Sequence, residues 1–358
     1  MKSSNVLVIG GGIAGLTAAY ELAKIDINVE LVEKNAFLGG HAVRFTCKAT
    51  ENCEKCGACI VEEKIEKVNE NKNITIHTNA IINKISSNNN FQFNIHINGQ
   101  NKETDSPVSK EKDINILADA VIVATGFTPF YPVNKPYGYK VFDNVITNLE
   151  LEEMLRNNNI ALRPSDKLAP ENIAFIQCVG SRDSKLNHLW CSKICCVSAL
   201  RMARLIKMRQ PNTSITIFYI DIQGFGNDFE NFYKKAKKDI KLVRAIPGDI
   251  YKTEDDHLKI EYFDNLSNRG VEEIYDMLVL SVAITPNSES KELATALGIE
   301  TYDTGFIRSC DTDGITSSNG VFVAGTAGGP LSIEESAAHG VKAAWDVKKY
   351  LNKNHLES

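Results

Sequence analysis

Residues 5–15, Asn-Val-Leu-Val-Ile-Gly-Gly-Gly-Ile-Ala-Gly, constrain the fold more than any other stretch of this chain. The apolar run Asn5-Val-Leu-Val-Ile9 reads as a buried strand, and Leu16 to about Lys24 reads as a helix. Between them Gly10, Gly12 and Gly15 complete Gly-x-Gly-x-x-Gly. Gly10 permits a tight turn, Gly12 lets a pyrophosphate reach the backbone, and Gly15 lets the helix pack close on the strand. Ile13 and Ala14 sit where the helix opens, and its N-terminus offers unpaired N–H groups and a positive dipole end. The next strand, Asn28 to Glu33, ends in an acid 23 residues after Gly10, where a carboxylate accepts hydrogen bonds from an adenosine ribose. A glycine triplet alone is weak, and a glycine-rich turn without ligand would look the same. Strand, triplet, helix and acid in this order predict a dinucleotide-binding βαβ unit.

A second βαβ unit follows, with a strand over Asn172 to Gln177, a helix over Ser192 to Met208 and a strand over Ser214 to Ile220. No Gly-x-Gly-x-x-Gly lies between Gln177 and Ser192, so a working pyridine-nucleotide site is not expected there. Cys178 instead closes the strand, and Cys191, Cys195 and Cys196 stand at the helix start. Thiolates take the place of a phosphate loop. Four thiolates are the ligand set of an iron–sulfur cluster; tetrahedral zinc accepts four as well, usually from paired Cys-x2-Cys knuckles. Buried unreactive cysteines are the third reading. Cys191 and Cys195 are four apart and share a helix face, whereas Cys196 is rotated away. One centre for all four therefore requires a distorted helix start.

Eight of the nine cysteines fall into two groups of four, at 47–59 and 178–196. Cys310 has no partner in sequence and reads as an ordinary thiol. No apolar stretch approaches the roughly 18 residues needed to span a bilayer, and too few residues precede the first strand for a signal peptide. The expected location is the cytoplasm, without direct membrane insertion; reduced thiols there argue for metal or redox work rather than disulfides. A net charge of −5 gives no electrostatic case for nucleic acid. Phe91 to Ile97 alternates with period two and Asn98-Gly99 reads as a hairpin turn. Asn101 to Asp113 reads as a loop, and the last helix as Ile333 to Leu351.

Further landmarks identify the first ligand as FAD by resemblance. Glu33-Lys34 is followed by Gly39-Gly40 and His41; Ala124-Thr125-Gly126 ends one later strand, and Gly325-Thr326 ends another shortly before a helix that opens at Ile333. This order resembles the two-dinucleotide-binding-domain flavoproteins of the thioredoxin reductase and glutathione reductase type. It implies an α/β fold with a split FAD domain over 1–146 and 286–358, and an inserted nucleotide-like domain over 147–285. It also implies that the Ile333 helix points its dipole at the flavin, and that His41 lies near it.

The resemblance sharpens along nearly the whole chain. Phe175-Ile-Gln-Cys-Val-Gly-Ser-Arg-Asp183, Cys191-Ser-x-x-Cys-Cys196, Ile217-Phe-Tyr-Ile-Asp221, Gly224-Phe-Gly226, Asn144-Val-Ile-Thr147 and Gly325-x4-Pro330 are similar to the A subunit of heterodisulfide reductase. In that family the four cysteines hold an unusual [4Fe–4S] cluster close to FAD, which implies the same for Cys178, Cys191, Cys195 and Cys196. Ferredoxin-like Cys-x2-Cys-x2-Cys-x3-Cys-Pro runs are lacking, so the chain resembles the short form in complexes of sulfur oxidisers. Asp221-Ile-Gln223 stands where the family has Asp-Ile-Arg, which leaves that arginine's role unfilled.

Cys47-x5-Cys53-x2-Cys56-x2-Cys59 stays open. It fits a second iron–sulfur site, a Cys53/Cys56 redox dithiol such as disulfide reductases carry after the early Gly-Gly, or structural cysteines. The resemblance implies an electron-transfer subunit working with other heterodisulfide reductase-like subunits, a lipoate-binding protein and a second copy of itself. The alternatives are a relay like the A subunit of quinone-interacting oxidoreductases, and a non-catalytic FAD/zinc scaffold. No catalytic acid, base or nucleophile is singled out.

Overall fold

The computed structural model describes residues 4–87, 93–100, 112–226, 228–310 and 314–357. The backbone forms two compact units, one from residues 1–43, 57–128 and 285–358 and the other from 44–56 and 129–284. Set beside the bounds read from sequence, residues 129–146 and the cysteine-bearing segment 44–56 fall in the second unit.

In the first unit a seven-stranded sheet runs Val321–Val323, Ala120–Val123, Asn5–Ile9, Asn28–Val32, Ile74–Ser87, Phe93–Gln100, Lys112–Ala118. The first five are parallel and the last two add antiparallel. Val6 and Val8 feed one core and Leu7 and Ile9 the other. A strand covered on both faces must be apolar throughout, which is why residues 6–9 show no alternation. Helices Ile13–Ala23 and Ile333–Glu357 cover one face, the latter through Ala343, Ala344, Val347 and Leu351.

Asn98-Gly99 is not a turn. Both residues lie inside the strand Phe93–Gln100, where Asn98 pairs with Ile81 on one side and Asp113 on the other. Pairing on both edges overrides the local turn preference. Lys112 and Asp113 belong to a strand; residues 101–111 of the expected loop, and Phe91 and Gln92 of the expected alternation, lie outside the described residues. The last helix continues to Glu357.

In the second unit five parallel strands run Lys241–Val243, Ser214–Phe218, Asn172–Val179, Met277–Val282, Val145–Thr147. Helix Cys195–Arg209 packs Ala199, Leu200 and Ala203 against Ile173, Phe175, Met277 and Val279 on one face. A three-stranded antiparallel sheet, Ile250–Lys252, Leu258–Asp264 and Arg269–Tyr275, contributes Leu258 and Ile260 to the core on the other. Helix Asn148–Asn158 starts at a capping box in which Thr147 and Glu150 satisfy each other's backbone N–H.

Candidate functional site

Each parallel sheet has a point where the chain leaves one strand to either side, and ligands of open α/β sheets bind at the C-terminal ends of strands there. In the first unit that point is the end of Asn5–Ile9, flanked by Asn28–Val32 and Ala120–Val123. A Cβ on Gly10 would overlap the Ala124 carbonyl, and one on Gly15 would overlap the Gly10 carbonyl oxygen. A Cβ on Gly12 would meet nothing within 4 Å. Gly12 is extended, with φ −75°, and gives the helix no side-chain cap. The loop is therefore closed at Gly10 and Gly15 and open at Gly12, in front of free helix N–H groups.

The remaining predicted residues gather around it. Gly11 N–H donates to Glu33 Oε2 at 2.7 Å, and Glu33 Oε1 accepts from the Asn35 backbone and side chain at 2.8 and 2.6 Å. Gly39 N–H donates to Gly11 O at 2.8 Å, and a Cβ on Gly40 would lie 3.3 Å from Gly12 Cα. Gly325 approaches Ala14 so closely that a Cβ would lie 2.6 Å from the alanine methyl. Thr125 Oγ1 is buried without a hydrogen-bond partner among the described residues, beside Gly126, whose Cβ direction faces Thr326 Oγ1 at 3.9 Å. His41 Nε2 lies 3.1 Å from the Phe127 carbonyl. Lys34 turns to Glu289 at 3.0 Å instead. Open backbone at Gly12, an orphaned hydroxyl at Thr125 and a buried acid at Glu33 fit a dinucleotide such as FAD.

Two residues that sequence reasoning passed over bear on this cradle. His339, from the Ile333–Glu357 helix, accepts the Gly325 N–H on Nδ1 at 3.1 Å, and burial holds its imidazole pKa below the ordinary value. Glu335 closes a capping box with Ser332 at the start of the same helix, at 2.8 and 3.1 Å. The helix end expected to face the flavin thus carries Glu334 and Glu335 in its first turn.

In the second unit the corresponding point is the end of Asn172–Val179, between Ser214–Phe218 and Met277–Val282. The register slips there, since Ile176 pairs with Leu280 but Val179 with Val282. Gln177 and Cys178 together oppose Ser281, a β-bulge, the usual device for re-aiming a side chain near a site. Cys178 carries the irregularity at φ +61°, and Arg182 and Lys193 also adopt positive φ. Left-handed residues without glycine are strained; such turns direct backbone N–H groups at anions, iron–sulfur sites among them.

Cys195 and Cys196 open the helix, with Cys195 hydrogen-bonded to both Cys178 and Cys196. Cys191 is not on the helix face expected for it: the helix begins four residues later, and Cys191 sits in the preceding turn with Lys193 N–H on its sulfur at 3.3 Å. Bulge and turn, rather than a distorted helix, set the four at the same strand end. The donated Cys195 S–H and the Gln223 N–H pull Cys196 down to about 7, while Cys195 is held well above the ordinary thiol value. Burial pushes Cys191 up. Arg182 pairs with Asp221 at 2.5 Å and its charge favours thiolate at Cys178, Cys191 and Cys196. It was visible in the sequence only as part of the Cys-Val-Gly-Ser-Arg-Asp run. A cavity of about 310 Å³ opens beside Cys191, lined by Arg182, Lys193, Gln223 and Phe225.

Gln177 Nε2 and Oε1, Ser181 Oγ and Ser281 Oγ are buried and lack partners among the described residues. Orphaned polar atoms beside bulge-aimed thiols and a helix N-terminus fit a bound polynuclear centre. Among the described residues no three His, Cys, Asp or Glu side chains gather within reach of one metal ion. A tetrahedral zinc at 2.3 Å from each sulfur sets its thiolates about 3.8 Å apart, whereas a cubane cluster gives each thiolate its own iron.

The first cysteine group is divided between the two units. Cys47, Cys53 and Cys56 lie in the second unit and Cys59 in the first; Cys47, Cys53 and Cys59 are exposed and Cys56 is half-buried. The segment 44–56 is fastened by a buried ion pair, Lys48 to Glu152 at 2.6 Å, and by Arg204 to Glu54 at 2.7 Å.

The pyridine nucleotide–disulphide oxidoreductase family model matches residues 4–174. The chain is 29% identical over 434 aligned residues to the A subunit of ferredoxin:CoB-CoM heterodisulfide reductase from Methanosarcina mazei, covering 99% of this chain and 54% of that protein. It is 30% identical to the iron-sulfur A subunit of CoB–CoM heterodisulfide reductase from Methanocaldococcus jannaschii, covering 94% and 63%. It thus spans little more than half the length of these relatives. Among solved structures, thioredoxin reductase of T. acidophilum matches with a TM-score of 0.63 at 16% identity over 99% of both chains. That of Lactococcus lactis matches with 0.64 at 17% identity, over 98% of this chain and 100% of that one. No helix among the described residues is long and apolar enough to cross a membrane. The chain therefore has the two-dinucleotide-binding-domain fold of the thioredoxin reductases, and over nearly its whole length it is similar to heterodisulfide reductase A subunits.

Proposed function

We propose that this chain is the FAD- and [4Fe–4S]-containing electron-transfer subunit of a cytoplasmic heterodisulfide reductase-like complex serving dissimilatory sulfur oxidation. FAD, held by the Gly10–Gly15 loop, Glu33 and the Thr125 and Gly325 turns, supplies the exchange between electron pairs and single electrons. Cys178, Cys191, Cys195 and Cys196 hold the cluster, and the helix N-terminus and Arg182 favour their thiolates. Chemistry on the sulfur substrate belongs to partner subunits, with a lipoate-binding protein as carrier and a homodimer as the working form. The observation that carries this reading is the cysteine constellation at the second switch point, with its bulge at Gln177–Cys178 opposite Ser281 and its orphaned donors. The names of the relatives, heterodisulfide reductases with an iron-sulfur chain among them, support it.

The test is iron and labile sulfide analysis on anaerobically reconstituted protein. About four of each per chain are expected, lost on Cys196→Ala with flavin retained. Zinc in place of iron, or iron unchanged in Cys196→Ala, overturns the assignment.

A further inference from the structure

We propose that Gln177 and Ser281 donate hydrogen bonds to the sulfur of the centre held by Cys178, Cys191, Cys195 and Cys196, and so set its reduction potential. This rests on the iron–sulfur reading above and assigns a role to two residues that are not ligands.

Both side chains face the cysteines by strand geometry. Ile173 and Phe175 lie in the core beneath helix Cys195–Arg209, while Ala174 and Ile176 lie in the core on the opposite face. Alternation puts Gln177 on the helix side. Met277 and Val279 lie in the same core as Ile173, and Leu278 and Leu280 in the opposite one, so Ser281 also faces the helix. The two residues sit across the bulge from each other at the C-terminal ends of adjacent strands. Cys195 and Cys196, at the start of that helix, cover the same end of the same face. Gln177 is 6% exposed and Ser281 1%.

Neither side chain has a partner among the described residues, and Gln177 lacks one at both polar atoms. Burying an amide and a hydroxyl unpaired beside one another is costly, and native interiors rarely tolerate it. The amide offers two N–H donors and the hydroxyl one; thiolate and sulfide only accept. A reduced cluster carries one more negative charge than its oxidised form, so donors aimed at its sulfurs favour reduction and raise the potential. Deleting a donor lowers it.

The experiment is a redox titration of the reduced cluster's paramagnetic signal in reconstituted full-length protein, for wild type, Gln177→Leu and Ser281→Ala, with iron and FAD measured on each sample. Each substitution is expected to make reduction about tenfold less favourable, a fall of about 59 mV for one electron, with iron and FAD at wild-type levels. Unchanged potentials in both variants overturn the proposal, because the two groups then satisfy each other or a water. Loss of iron from both with FAD retained also overturns it, since it makes them part of the ligand cage. Wild-type protein without iron refutes the cluster reading itself, and the iron assay separates that outcome from the others.

Discussion

Gly12 and Gly15 stand three residues apart in one loop, yet adding a side chain to each should have opposite consequences. At Gly12 the backbone is extended, φ −75° and ψ −179°, which any residue adopts, and a Cβ meets nothing within 4 Å. Gly12→Ala should leave the flavin-free protein as stable as wild type or more so by about 0.4–1 kcal/mol, because the unfolded chain loses freedom. Gly12→Val fills the same open space and should strip FAD by standing where the pyrophosphate lies. At Gly15 a Cβ overlaps the Gly10 carbonyl oxygen, a clash with backbone that no rotamer relieves. Gly15→Ala should cost about 1–3 kcal/mol or more, the range for overpacking, with or without flavin. Losing the flavin removes a further stabilisation, about 2.7 kcal/mol when FAD is at 100 times its Kd. Flavin absorbance of the purified proteins and urea unfolding of their flavin-free forms separate the effects. Full flavin content in Gly12→Val would show that the dinucleotide does not cross this loop. Equal destabilisation of the two flavin-free variants would sink the distinction between open and closed positions.

Two further outcomes follow from a buried ion pair and a half-buried histidine. Lys48→Met should destabilise the second unit by about 3–5 kcal/mol by leaving Glu152 unpaired. The Lys48→Met/Glu152→Leu double variant should recover most of that in denaturant titration, and failure to recover would mean that the pair is not the fastening. For His339, burial lowers the folded-state pKa. Above about pH 6.5 both states are neutral and the residue adds no pH dependence. Below it the unfolded chain binds a proton that the folded one does not, so stability falls with pH. Thermal unfolding between pH 7 and pH 5 should show this slope in wild type and a shallower one in His339→Asn; identical slopes refute it.

The first switch point was legible because its constraints are local. Residues 6–9 must be apolar on both faces, the loop needs glycine at Gly10 and Gly15 to clear the Ala124 and Gly10 carbonyls, and Glu33 falls at the next strand end. Asn98-Gly99 misled because a strand paired on both edges outweighs a favoured turn dipeptide. The cysteine group was legible as a cluster in sequence but not as a shape. Cys178 owes its aim to a bulge that exists only because Ser281, 103 positions away, pairs against two residues rather than one; no spacing within 178–196 encodes it. For the same reason Gln177 read as the last residue of an apolar strand.

That long-range dependence also explains why two sheets of one architecture can serve different chemistry. In the first unit the strand end is followed by glycines, which leave the backbone open at Gly12 in front of the helix N–H groups. In the second the strand end is bulged at Gln177–Cys178, with Cys178 at φ +61°, and Cys195 and Cys196 open the helix. In the function proposed above both use the positive helix end, once toward phosphate oxygens and once toward thiolates. Restoring glycines at 178–183 would therefore not suffice to recreate a nucleotide site, because the register slip opposite Ser281 would still displace the turn. Removing the slip requires deleting one residue from Gln177–Cys178, which returns Val179 to the pairing register.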